Sequence, residues 1–274
     1  MKIFAALAVA LMAQPLAAEP LIYDNGRIFV RATIKDVATE ALLDSGAESS
    51  VVDPALAKRA KLPPGLEADV KGSGGEAEAR IVYGVTISAG GLTVKDQLVV
   101  ITDLAEVSKR LIRRPTELIL GRELFDAATI RVDIQGREWG PLPPGAQPQG
   151  TRLALTKHAG IEAVPVTING VPAQADLDLG NGSKVLVSKA MALKLGLKVV
   201  GQESGGGIGG KLTRDLVKLD RLEVAGRTFR DVDAAIDPFE NAGELNIGTS
   251  ILEYFIVTTD FRGRAVYFEQ RGKP

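Results

Sequence analysis

The stretch Leu42-Leu43-Asp44-Ser45-Gly46-Ala47, followed by Val51-Val52, sets one carboxylate at the mouth of an apolar run. Burying the two leucines in a strand carries Asp44 to the strand end. Ser45 there offers a hydroxyl for a local hydrogen bond, and Gly46 permits a sharp turn. The same three letters, Asp-Ser-Gly, also occur in ordinary turns, where backbone preference alone selects Asp and Gly. What lifts this stretch above a turn is that the chain repeats itself. Val30 to Ile34, Val37, Leu43-Asp44, Gly46 and Val51 are echoed by Val164 to Ile168, Val171, Leu177-Asp178, Gly180 and Val185 at a constant offset of 134 residues. Gly91, Val94 and Asp96 meet Gly226, Phe229 and Asp231 at an offset of 135, and Gly121, Leu124 and Asp133 meet Gly248, Ile251 and Asp260 at 127. The chain reads as an internal duplication whose second copy is the shorter.

Each copy also carries a second motif. In Ile119-Leu120-Gly121-Arg122 the glycine lies 77 residues after Asp44, and in Asn246-Ile247-Gly248 it lies 70 after Asp178. In this order the paired motifs resemble the active-site strand and the hydrophobic-hydrophobic-Gly strand of retropepsin-like aspartic proteases, over nearly the whole chain past its first residues. The resemblance implies an all-β fold of two tandem retropepsin-like β-barrel lobes, no cofactor, and hydrolysis of a peptide or protein substrate. It implies Asp44 and Asp178 as catalytic residues, one from each lobe, with Ser45, Gly46, Gly180, Gly121 and Gly248 in support. Two carboxylates facing one another about a pseudo-twofold axis cannot both ionise cheaply, so they share a proton; aspartic proteases are a known instance. The ionised member then serves as general base on a water and the protonated one polarises the carbonyl.

The second copy departs from the family pattern. Leu179 stands where Ser45 supplies a hydroxyl, Asn181 where the first copy has Ala47, and Asn246 where it has Ile119. In the family the residue between Asp and Gly hydrogen-bonds across the lobe interface, so this support is one-sided here. Asp176 is a further acid, but Asp176-Leu177-Asp178 lacks the glycine two positions on, which favours Asp178.

Composition removes most other chemistries. With 33 basic and 34 acidic residues the chain is nearly neutral, and no charge-based case exists for nucleic acid. Zero cysteines exclude Cys nucleophiles and thiolate metal sites. His158, the single histidine, leaves no His-rich metal site to assemble; its turn-like surroundings, Thr156 to Gly160, read as a solvated loop. Met1-Lys2, the apolar run from Ile3 to Met12 and Pro15-Leu16-Ala17-Ala18 read as a signal peptide, cleaved after Ala18, too short in its apolar part to span a bilayer. That places the protein in a periplasm or outside the cell, with no membrane span after removal.

The expected organisation is residues 1–18 as signal peptide, 19–139 as the first lobe, 140–150 as a Pro/Gly linker and 151–274 as the second lobe. Strands are expected from Arg27 to Ile34 and Glu40 to Leu43, joined by Lys35-Asp36, and near the end from Tyr254 to Thr259 and Arg264 to Phe268. A short helix from Pro54 to Ala60, capped by Asp53, matches one from Lys189 to Leu195 capped by Ser188 and stopped by Gly196. Trp139 reads as a core or inter-lobe packing residue. Two glycine-rich runs, Gly72-Ser73-Gly74-Gly75 and Gly206-Gly207-Ile208-Gly209, precede strand-like segments rather than opening helices, so they read as hairpin tips instead of phosphate loops. By resemblance they are the flaps that close over a bound peptide. Residues 103–116, a region with no counterpart of equal length in the second copy and holding an insertion of about eight residues, with Lys109, Arg110, Arg113 and Arg114, read as a solvated basic face.

Three functional readings follow. The first is an exported, monomeric aspartic endopeptidase whose lobes pair within one chain. The second is a peptide-binding protein that kept the cleft and lost the chemistry, motivated by Leu179. The third is a protease whose first lobe pairs with that of another chain in a homodimer.

Overall fold

The computed structural model describes residues 18–271, so the signal peptide expected over residues 1–18 lies, Ala18 apart, outside the described residues. The fold is all-β and two-lobed, and the two halves repeat one strand order. In the first half an eight-stranded sheet runs Ile22–Asp24, Arg27–Ile34, Val37–Leu43, Leu118–Leu120, Ser50–Val52, Leu92–Ile101, Gly75–Ala89 and Leu66–Gly72. It closes on itself where Gly75–Ala89 returns to Arg27–Ile34. The second half runs Thr156–His158, Ile161–Ile168, Val171–Leu177, Leu245–Ile247, Val185–Ser188, Arg227–Asp237, Gly210–Val224 and Gly201–Gly207, and closes in the same way. Closure removes most free strand edges, the usual liability of antiparallel sheets.

A third sheet joins the halves. Its order is Glu19–Pro20, Glu138–Pro141, Ile130–Asp133, Phe255–Asp260, Ala265–Gln270 and Thr151–Ala154, three strands from each half in mirrored sequence. The pseudo-twofold axis therefore passes between Ile130–Asp133 and Phe255–Asp260, which pair antiparallel with Val132 opposite Val257. Trp139, on the neighbouring strand, is 1% exposed and packs on Gly90, where a side chain would meet the indole ring at 2.9 Å.

Within each half the strand ahead of the Asp pairs parallel with the hydrophobic-hydrophobic-Gly strand. Leu43 lies opposite Leu120, and Leu177 opposite Ile247. All four are fully buried in the main core, so the residue after each is carried to the barrel rim. The alternate residues Leu42 and Ile119 face the other way, the period-two consequence of a strand. They form a second apolar cluster with Phe29 and Val51, capped by Leu104, Val107 and Ile112 of the insertion.

Several boundaries differ from the expectation. The second strand begins at Val37 rather than Glu40, because Lys35 adopts a positive φ of 50° and the two-residue turn lets Ile34 pair at once with Val37. The helices end one residue early, at Arg59 and Lys194. Their caps are as read: Asp53 accepts from the Ala55 N–H and Ser188 from the Met191 N–H. Gly140 and Pro141, read as linker, finish strand Glu138–Pro141, so the connection between sheet strands spans residues 142–150. The last two strands are Phe255–Asp260 and Ala265–Gln270. Among the described residues no helix is long and apolar enough to cross a membrane.

Candidate active site

Asp44 and Asp178 come together across the boundary between the halves. A side chain at Gly180 would sit 2.3 Å from Asp44 Cγ, and one at Gly46 would sit 3.0 Å from Asp178 Cγ. Each glycine is thus the space in which the other half's carboxylate lies. Gly121 and Gly248 do the same for the backbone: a Cβ at Gly121 would fall 2.6 Å from the Ser49 carbonyl carbon, and one at Gly248 2.0 Å from Asn181 O. The close approach lets the Asp44 N–H reach Leu120 O at 2.9 Å and the Asp178 N–H reach Ile247 O at 3.1 Å.

Ser45 holds the halves in register. Its hydroxyl donates to Leu177 O at 2.8 Å and accepts from the Leu179 N–H at 3.0 Å. Leu179 gives no reciprocal bond and is fully buried in the core instead. One side chain therefore bridges the two active-site strands.

With two motifs of this kind meeting across a pseudo-twofold axis, comparison with known proteins is decisive: the family described as aspartyl protease matches residues 30–124 and 164–251, one region in each half. The chain belongs to the aspartyl protease family. Among solved structures it is similar to a retropepsin-like aspartic protease from Rickettsia conorii, at 20% identity and a TM-score of 0.30, over 38% of this chain and 77% of that one. No curated protein matches the chain at a significant level.

The two carboxylates of this aspartyl protease family member are not equivalently hydrogen-bonded. Asp44 Oδ1 accepts from the N–H groups of Gly46 (2.9 Å) and Ala47 (3.1 Å). Asp178 Oδ1 accepts likewise from Gly180 (2.9 Å) and Asn181 (3.0 Å), and its Oδ2 takes a further bond from Asn246 Nδ2 at 2.8 Å. The direction of that last bond is forced. The Ser183 N–H can only donate, so the Asn181 Oδ1 it meets at 3.0 Å is an acceptor; Asn181 Nδ2 then donates to Asn246 Oδ1 at 2.7 Å, leaving Asn246 Nδ2 for Asp178. Asp44 keeps a little accessible surface, yet protein surrounds its carboxyl closely. Desolvation, followed by the charge of Asp178, pushes its pKa up to about 8, against the two backbone donors.

Arg27, at the head of its strand and 6% exposed, lies at the boundary against Gly182, where a side chain would meet its Cγ at 2.5 Å. Burial lowers its pKa while the charges of Asp178 and Asp44 oppose that shift. A charged residue immediately ahead of the apolar run Ile28-Phe29-Val30 was the available signal for it in the sequence. Asp176 is turned away from the pair, toward His158 Nδ1 at 3.5 Å and the backbone of Gly243. Burial pushes it up to about 6, with His158 pulling the other way. His158 is accordingly not a solvated loop residue: it ends strand Thr156–His158, half-exposed, with its Nδ1 sealed from solvent.

The glycine-rich runs are hairpin tips and they touch. The Gly74 N–H donates to Ile208 O at 2.8 Å, and side chains at Gly72, Gly74 or Gly209 would each fall 2.3 Å from backbone oxygen of the opposite tip. Gly207 lies against the Ser73 hydroxyl, Gly75 against Gly209, and Gly206 adopts a φ of +110° that favours glycine. Ile208 packs on the Leu42–Ile119 cluster. The basic insertion is not a plain solvated face. Arg110 reaches across to Gly205 O (2.9 Å), Gly210 O (3.1 Å) and Gly207 O (3.4 Å), so it clasps the second tip to the first half. Arg114 stacks over Phe29 at 4.8 Å and bonds Asp24 and Glu40.

Proposed function

We propose that this chain is an exported aspartic endopeptidase that works as a monomer, its two lobes forming one site within a single chain. The observation that carries the reading is the mutual packing of each carboxylate on the other half's active-site glycine. In this reading the charge of the pair resides on Asp178, whose two oxygens accept three N–H donors, and the proton on Asp44 Oδ2, which has no donor to compete with it. Asp178 is then the general base that takes a proton from a bound water, while Asp44 donates its proton to the scissile carbonyl. The leaving amine collects the proton that Asp178 removed. Substrate lies extended beneath the two tips, paired with their backbone, once they part.

Cleavage of a mixed peptide library from acid to neutral pH, with Asp44→Asn and Asp178→Asn alongside, tests the proposal. Loss of acid-favoured cleavage in both variants supports it. Loss with Asp44→Asn alone, in a protein of dimeric solution mass, supports pairing between chains. Peptide binding without turnover in the unaltered protein supports the degenerate cleft that Leu179 first suggested.

A further inference from the structure

The inner faces of the two hairpins differ in kind. In the first, the less exposed residues of the alternating pair of strands are Ala68, Val70, Ala77 and Ala79, with Asp69, Lys71, Glu76 and Glu78 outside. The matching inner positions of the second, fixed by the same register at the tip, are Glu203, Gly205, Leu212 and Arg214. Ala79 has become an arginine that is only 5% exposed.

That guanidinium is short of partners. Glu203 lies directly across the hairpin but commits its carboxylate to Lys184 at 2.5 Å, and among the described residues no carboxylate is within ion-pair distance of Arg214. Its Nε is sealed from solvent with no acceptor, and Nη2 has only Ser73 O of the opposite tip, at 3.5 Å. Gly205 leaves the room: a side chain there would sit 2.9 Å from Nη1. Burial lowers the arginine's pKa, opposed at a distance by Asp237 and Glu203. A buried, unpaired cation is costly in a folded protein unless something completes it.

Its surroundings place it on the substrate side. Lys184, which holds Glu203, also accepts a bond from Asn181 Nδ2 at its carbonyl, and Asn181 leads through Asn246 to Asp178. Arg214 therefore lies between the inner face of the second hairpin and the tip of the first, opposite a Glu203 that is itself tied to the Lys184 turn beside the acid pair. We propose that Arg214 forms an anion-accepting subsite in the second half, and that the protein selects peptides carrying an Asp or Glu side chain on that side of the bond to be cut. The substrate carboxylate would satisfy Nε and Nη together, in the forked geometry that arginine favours. The inner positions of the first hairpin, Ala68, Val70, Ala77 and Ala79, carry no such group. The inference rests on the peptide-cleaving reading above for its substrate class.

The test uses the protein carrying Asp44→Asn, so that peptides survive, and a panel of extended peptides identical except for Glu, Gln or Lys at successive positions. Fluorescence anisotropy reads binding. At one position the Glu peptide should bind about tenfold more tightly than its Gln counterpart, the size of one charge-assisted hydrogen bond. Arg214→Gln should erase that difference while leaving Gln-peptide affinity in place, and Arg214→Lys should restore part of it. Equal binding of Glu and Gln peptides at every position, or a preference that survives Arg214→Gln, would overturn the assignment. Cleavage of the same peptides by the unaltered protein separates the two readings. An Arg214-dependent acid preference without turnover upholds the subsite and sinks the hydrolase, whereas turnover indifferent to acidic side chains does the reverse.

Discussion

Asn246→Leu removes the one donor that distinguishes Asp178 from Asp44 and substitutes a side chain of the apolar kind found at Ile119 in the first half. The change orphans little, because Asn181 Nδ2, which loses Asn246 Oδ1, still reaches Lys184 O at 3.1 Å. A hydrogen bond to a charged group contributes about 1.5–3 kcal/mol, and one pKa unit corresponds to about 1.4 kcal/mol. Asn246 and Asp178 are both half-buried, so the lower end applies and the shift should be about one unit. Its sign follows from the state stabilised. The bond favours the carboxylate, so removing it raises the lower of the two macroscopic pKa values of the pair. Two assays read it: an NMR titration of ¹³Cγ-labelled aspartate, and the acid limb of the kcat/KM profile, which should move to higher pH by the same amount. The first needs no turnover. An acid limb and a titration both unmoved by Asn246→Leu would refute the argument that this amide fixes the charge on Asp178.

Other outcomes follow from the same geometry. Asp44 has a folded pKa raised to about 8, so between about pH 4 and pH 8 the native state holds a proton that the unfolded state has released. Its contribution to stability is therefore present at acid pH and lost as pH rises through that window, and thermal melts should find Asp44→Asn stabilising near pH 8 and close to neutral near pH 4. Gly121→Ala forces a methyl against the backbone of Ser49 and Ser50 and should cost about 1–3 kcal/mol in a denaturant titration; an unchanged midpoint would contradict so close an approach. Ser45→Ala removes both inter-half bonds at once and should lower stability by about 1–3 kcal/mol, leaving the buried Leu179 N–H and Leu177 O unpaired. Arg110→Ala should speed amide hydrogen exchange across residues 205–210, since three carbonyls there lose their tie to the first half; unchanged exchange would remove Arg110 as a clasp.

The duplication made the architecture legible. Once Asp44 and Asp178 were matched at a fixed offset, each strand placed in one half located its counterpart, and Leu43 and Leu177 could be assigned to the core without a contact in hand. The acid pair itself was legible for the same reason, whereas the one-sided brace at Ser45 followed from the resemblance to retropepsin-like proteases together with the missing hydroxyl at Leu179. What escaped was whatever depends on side chains distant in the chain. Nothing local to Arg110 signals that it reaches carbonyls about a hundred residues on, and a run of four basic residues ordinarily is a solvated face. His158 escaped because a short polar strand resembles a turn in composition, and its partner Asp176 is set by sheet register rather than by spacing. Asn246 was visible as an oddity, but the relay that gives it a direction runs through Asn181 and a backbone N–H, and exists only once the second half is folded.

These departures share a location and a consequence. Leu179, Asn181, Asn246 and Arg214 all lie in the second half, and each replaces a first-half residue of opposite polarity or bonding capacity: Ser45, Ala47, Ile119 and Ala79. A site built from two copies of one lobe would have to present the same groups to both acids and to both ends of a peptide. Joining the halves in one chain removes that constraint. A donor can then be given to one carboxylate only, which lifts the degeneracy of the shared proton, and a cation can be set under one hairpin only, which gives the cleft a polarity. Asn181 and Asn246, two of the residues that weaken the family pattern in the second motif, are therefore the ones that make the two carboxylates inequivalent. Restoring symmetry should undo that. In a protein carrying Asn246→Ile with Asn181→Ala the pair should share its first ionisation more evenly, seen as two aspartate ¹³Cγ resonances moving together rather than one ahead of the other. If one resonance still leads as in the unaltered protein, the asymmetry comes from the surrounding field, Arg27 included, and not from the amide relay.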